Sequence, residues 1–146
     1  MSNDFYLSGK LLSESREIKD LCVLFDCNLS FATYITSITG KAKQRLYLLN
    51  KSFITKDPDT LIFAVKTYIL PILDYCSPIW SPWHIADITC IESVQRLFTK
   101  KLLGYELLSY KERLTKSGLC GLELRRVRAD PILCYTILHG LVLFKQ

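Results

Sequence analysis

Six cysteines, at positions 22, 27, 76, 90, 120 and 134, and two histidines, His84 and His139, are the residues most able to bind a metal or attack a substrate. Their spacing argues against both. No Cys-x-x-Cys pair occurs, and neither histidine completes a finger-like or knuckle-like ligand set, so zinc is not expected. The chance of a thiol meeting an imidazole is no motif, and most of the thiols are expected to pack as small apolar side chains. A Gly-rich phosphate loop, a Gly-x-Ser-x-Gly elbow and a His-Glu-x-x-His pair are all missing from the 146 residues. No two adjacent acids stand ready to hold the metal ions of phosphoryl transfer. No catalytic residue, metal ligand or cofactor is therefore assigned.

Basic residues interleaved with aromatics carry the remaining chemical signal. Lys41 to Lys56 holds five cations and no acid. The net charge of +5 is also uneven: residues 1–30 set three basic groups against five acids, which leaves the excess in the remainder. Lys41, Lys43, Arg45 and Lys51 lie in one segment, Arg96, Lys100 and Lys101 in a second, and Arg125, Arg126 and Arg128 in a third. Such groups neutralise backbone phosphates without reading bases, and exposed aromatics can stack on unpaired ones. A solvated basic face would give the same pattern. The stretch "YILPILDYCSPIWSPWH" sets Pro71, Tyr75, Pro78 and Trp80 in an apolar run and is expected to be a packed corner, with Trp83 the more exposed ring.

The elements that must position these groups change period along the chain. Residues 1–29 read as extended: Ser8-Gly9 turns between two short apolar runs, and "IKDLCVLFD" is a strand ended by Asp26-Cys27-Asn28. From Ser30, an expected N-cap, Phe31, Tyr34, Ile35, Ile38, Ala42, Leu46, Leu49 and Phe53 recur at helical spacing, with Lys43 and Lys51 opposite. Asp57 and Pro58 open a second helix whose stripe is Leu61, Val65, Tyr68, Ile69 and Ile72. A third follows Ile88, Ile91, Val94 or Gln95, Phe98 and Leu102 to Gly104. Ser109 with Glu112 makes a capping box for a fourth, ending near Gly118, and "LELRRVRADPILCYTILHG" reads as a fifth, interrupted at Pro131. The fold class is thus mainly α, with a small β segment first.

With 49% hydrophobic and 23% charged residues, the composition is that of a globular chain. The polar start predicts no secretory signal, and the uncharged run from Pro131 to Phe144 is shorter than the roughly 20 residues of a spanning helix. A soluble, intracellular protein without a membrane partner is expected, in nucleus or cytoplasm alike.

Six segments then carry a resemblance: "IKDLCVLFDCNLSFATYI", "KAKQRLYLLNKSF", "KTYILPILDYCSPIWSPW", "IESVQRLFTKKLLG", "LSYKERLTKSGLCGLELRRVRAD" and "YTILHG". Their order and spacing are similar to the C-terminal part of the reverse transcriptase of Jockey-like non-LTR (LINE-type) retrotransposons. The resemblance implies an antiparallel palm-end hairpin around the primer grip in residues 1–29, thumb-like helices over 30–104, and post-thumb helices over 105–146. It implies binding of an RNA/DNA template-primer duplex by backbone contacts, beside the palm and fingers of a parent polymerase that uses magnesium. The family's Tyr-x-Asp-Asp turn has no match here, so the chain is not expected to be an enzyme on its own. Cys22 replaces a glycine usual in the family, and Pro131 falls where a helix former is usual. A helical interaction module made from transposon-derived sequence, with an exposed strand edge, is the other expectation.

Overall fold

In the computed structural model, residues 5–141 are described apart from 8, 12, 14 and 55. The described chain is mainly helical, with two small antiparallel strand pairs ahead of the helices. Strands β1 (Tyr6–Leu7) and β2 (Lys10–Leu11) pair across Gly9, whose φ of 77° is left-handed. The predicted turn residue Ser8 lies outside the described residues.

The stretch "IKDLCVLFD" is not one strand but most of a hairpin. β3 (Glu17–Asp20) pairs with β4 (Val23–Asp26) in the register Glu17 opposite Asp26 through Asp20 opposite Val23. Leu21 and Cys22 form the two-residue turn, with φ of 43° and 67°. Positive φ at both positions is the geometry that usually selects Asn-Gly, and its absence from the sequence hid the turn. Val23 alone of these strands is fully buried, packed under the first helix.

Ser30 is not the N-cap of that helix. Phe31 takes the cap position in a left-handed conformation without a side-chain cap, and α1 spans Ala32–Ser52. The carboxylate of Asp26 gathers the loop instead: Oδ1 accepts from the N–H groups of Asn28 (2.9 Å) and Ser30 (3.1 Å), and Oδ2 from the Ser30 hydroxyl (3.0 Å) and the Phe31 N–H (2.8 Å). The α1 stripe is as expected: Tyr34, Ile35, Ile38, Ala42, Leu46 and Leu49 are buried, and Lys43 and Lys51 are exposed.

Asp57 caps α2 (Pro58–Tyr68), accepting from Thr60 N–H at 2.9 Å and its hydroxyl at 2.7 Å. The helix breaks at Ile69, and α3 (Leu70–Asp74) restarts with Pro71 in its first turn, where a missing N–H costs nothing. α4 (Ser77–Trp80) repeats the device with Pro78. The stripe of α2 continues through Ile69, but Tyr68 departs from expectation and stands 62% exposed.

α5 (Ile85–Lys100) buries Ile91, Val94, Gln95 and Phe98 against α1, with Leu102 beyond it, and Gly104 has the expected left-handed φ of 75°. The Ser109–Glu112 capping box opens α6 (Tyr110–Ser117), which Gly118 closes. α7 (Leu122–Leu138) is not interrupted at Pro131. The carbonyl four residues earlier, on Val127, loses its helical donor, yet Val127 is 59% exposed and water can take that place. The core runs without a break from Val23 to Leu122.

None of the cysteines is fully buried. Cys22, Cys27 and Cys134 are exposed and Cys76, Cys90 and Cys120 half-buried, all as free thiols. Cys22 and Cys76 sit at left-handed turn positions and Cys134 on the exposed second half of α7, while Cys76 also packs against the edge of the core and Cys90 meets the buried Thr39 hydroxyl at 3.5 Å. Among the described residues no helix is long and apolar enough to cross a membrane.

Candidate nucleic-acid interface

The basic side chains divide by what holds them. α1 is a helix of 21 residues with four cations and no acid. Lys41, Lys43, Arg45 and Lys51 are all exposed on it. Lys41 and Arg45, one turn apart, line a cleft of about 510 Å³ between α1 and the α2–α3 break. Tyr34 and Ile38 also line it from α1, Tyr68, Pro71, Ile72 and Tyr75 from the facing side, and Cys22 from the hairpin turn. No carboxylate among the described residues lines it. Lys43 faces a different hollow, of about 490 Å³, with Gln44, Tyr47 and Leu48.

The corner that forms the far wall is firmly built. Trp80 is 1% exposed, donates its indole N–H to the Tyr75 carbonyl at 2.7 Å, and meets Tyr34 edge-on with ring centroids 5.6 Å apart. The Tyr75 hydroxyl donates to the Leu21 carbonyl at 2.9 Å, tying the corner to the hairpin turn. Trp83 is 78% exposed beside His84. Burial pushes the Tyr34 phenol above its usual range, so the cleft floor stays neutral.

Three other arginines are engaged within the structure itself, whereas Arg128 is exposed on α7. Arg125 forms an ion pair with Asp74. Arg126 is 3% exposed, so it presents no charge to solvent; burial pulls its pKa down, against the opposing field of Glu92. Both were grouped with the surface cations on sequence alone. The i, i+1 step turns one outward and the other into the core. Arg96 lies 4.2 Å from the centre of the Tyr110 ring, whose hydroxyl donates to Glu92. Glu92 also accepts the Leu122 N–H at 3.0 Å. Burial is the largest effect raising the Tyr110 phenol, with Glu92 second, so it remains the donor.

Lys100 and Lys101 are exposed at the end of α5, and neither they nor Lys43 and Lys51 have an ion-pair partner among the described residues. The cations thus do not share one groove: Lys41 and Arg45 converge, while Lys43, Arg96, Lys100 and Lys101 lie outside that cleft. Sequence reading missed Tyr68 and Cys22 as cleft residues. Tyr68, Ile72 and Tyr75 at i, i+4 and i+7 were the available sign, obscured by the proline between them. No group of three or more His, Cys, Asp or Glu among the described residues could hold a metal ion. Compared with protein-family models, with curated proteins and with solved structures, the chain matches none.

Proposed function

We propose that this chain is the palm-end and thumb-like portion of a non-LTR retrotransposon reverse transcriptase, that it grips an RNA/DNA template-primer duplex through phosphates, and that it carries no catalytic centre of its own. The observation that carries this is α1: four exposed cations without one carboxylate, on a helix that packs against the hairpin. Cys22 adds support, because the residue standing where that family usually has glycine occupies a left-handed turn position, which glycine adopts most easily. Palm, fingers and magnesium would belong to the parent polymerase.

The test is fluorescence anisotropy with RNA–DNA duplexes of unrelated sequence across a salt series. Binding should be indifferent to sequence and steeply weakened by salt. Replacing Lys43 and Lys51 by alanine should lower the salt slope by roughly two, at about 0.9 per phosphate contact. Absence of salt-dependent binding even at low ionic strength would reject the duplex role. It would favour the second reading, an interaction module, which draws support from Ile18 (59% exposed) and Leu21 (77%) on the uncovered hairpin.

A further inference from the structure

We infer that the cleft between α1 and the α2–α3 break holds an unpaired nucleotide strand at the end of the duplex, which specifies the ligand of the duplex-binding proposal above and rests on it. Three properties of the cleft point there. Its volume of about 510 Å³ is that of a small-molecule site. Pockets of roughly 300–1,000 Å³ hold single ligands, and one or two splayed nucleotides are of that size.

Its chemistry is also divided in the way a nucleotide is divided. The α1 wall offers Lys41 and Arg45, whose positions i and i+4 set them about 5–6 Å apart at Cβ, near the interval between neighbouring phosphates of one strand. The facing wall offers Tyr68 and Tyr75 at i and i+7, with Pro71 and Ile72 between them. Phosphates therefore meet cations on one side while bases meet rings on the other. Among the described residues no acid lines the cleft to repel the backbone: Asp74, the nearest in sequence to Tyr75, is turned to Arg125 on α7.

The rings are set in advance to different degrees. Tyr75 is 46% exposed, yet its hydroxyl is held by the Leu21 carbonyl at 2.9 Å, so its face is presented without loss of rotamer freedom on binding. Tyr68 is 62% exposed and is not needed for the core, which leaves it available as the second stacking surface. Stacking of this kind tolerates any base and strengthens binding to unpaired strands.

The experiment compares a blunt RNA–DNA duplex with the same duplex bearing an unpaired extension of about four nucleotides, the lower end of single-strand site sizes, placed in turn on each end of each strand. Anisotropy at fixed salt should show at least one extended duplex bound about tenfold more tightly than the blunt one, the effect of a single stacked base. Tyr68→Ala should bring the extended duplex down to the affinity of the blunt one, and Tyr68→Phe, which keeps the ring, should retain the preference. Equal affinity for blunt and all extended duplexes would overturn the inference while leaving the duplex proposal standing. So would a Tyr68→Ala protein, folded by circular dichroism, that weakens both probes alike. Failure of the blunt duplex to bind at any salt would instead remove the proposal on which the inference rests, and the inference with it.

Discussion

Trp80→Phe is the substitution that most directly measures how the corner holds the cleft wall. The indole is 1% exposed, so its second ring is solvated by protein alone. Phenylalanine removes two carbons and the indole nitrogen. At about 0.8 kcal/mol per buried carbon the two carbons amount to about 1.6 kcal/mol. The hydrogen bond to the Tyr75 carbonyl, 2.7 Å long, disappears as well, for a net cost of about 0.5–1.5 kcal/mol. The edge-on contact with Tyr34 can survive with a phenyl ring, so no further loss is assigned to it. The sum is about 2–3 kcal/mol, a large part of the 5–15 kcal/mol that is typical of a domain. Urea denaturation followed by far-ultraviolet circular dichroism reads the difference at the midpoint. Trp83→Phe is the internal control, since a ring 78% exposed should change stability by no more than about 0.5 kcal/mol. A Trp80→Phe protein within about 0.5 kcal/mol of the parent, or a Trp83→Phe protein as damaged as it, would refute the account of a buried, hydrogen-bonded corner.

Cys22→Gly should stabilise the chain by about 1 kcal/mol, because a residue with a Cβ at φ 67° carries strain that glycine does not; a matched melt against Cys27→Gly, where the backbone gives no such relief, checks it. Ser109→Ala should cost about 1 kcal/mol in the same melts by removing the capping box of α6. Acid should weaken the hairpin–α1 junction. The Ser30 backbone N–H, with those of Phe31 and Asn28, holds the Asp26 carboxyl below its ordinary value of 3.8. The native state therefore binds that proton less readily than the unfolded chain, so the contribution is complete above about pH 4 and is lost as pH falls through the depressed value. Asp26→Asn should flatten the acid limb of a stability–pH curve, and an unchanged limb would show that Asp26 does not control it.

How much of this was legible depends on whether a residue's role is local. The α1 stripe could be read because burial at helical spacing needs nothing beyond the helix itself, and Tyr34, Ile35, Ile38, Ala42, Leu46 and Leu49 are all in the core. Asp57 and Ser109 could be read because a cap bonds to its own first turn. The hairpin turn could not, since Leu21 and Cys22 have none of the residue types that favour positive φ and are held there by β3–β4 pairing. Ser30 misled because Asp26, four residues upstream, provides the loop with more acceptors than one hydroxyl could. The candidate interface was half legible. Free lysines on α1 and α5 remained where periodicity put them, whereas the fates of Arg125 and Arg126 depended on Asp74 and on the core, fifty or so residues away in sequence.

The corner connects these outcomes. Breaking the helix at Ile69 gives α3 a new direction, and its five residues then serve two neighbours at once. Asp74 faces α7 and holds Arg125, while the following residue, Tyr75, reaches the hairpin turn and walls the cleft. A helix that continued straight through position 71 could not place consecutive residues against elements so far apart in the chain. The corner thus ties up one positive charge, that of Arg125. On the α5–α7 side Arg128 stays exposed, while Arg125 is held in an ion pair, Arg126 is buried and Arg96 lies over a tyrosine ring. That is how guanidinium groups are commonly used, their planar forks suiting pairs and stacks, whereas compact ammonium groups stay solvated. The positive charge counted in the sequence therefore overstates what a polyanion can reach. Among the candidate cations, those exposed without an ion pair or a ring contact are Lys41, Lys43, Arg45 and Lys51 on α1, Lys100 and Lys101 at the end of α5 and Arg128 on α7, and α1 and α5 pack against each other.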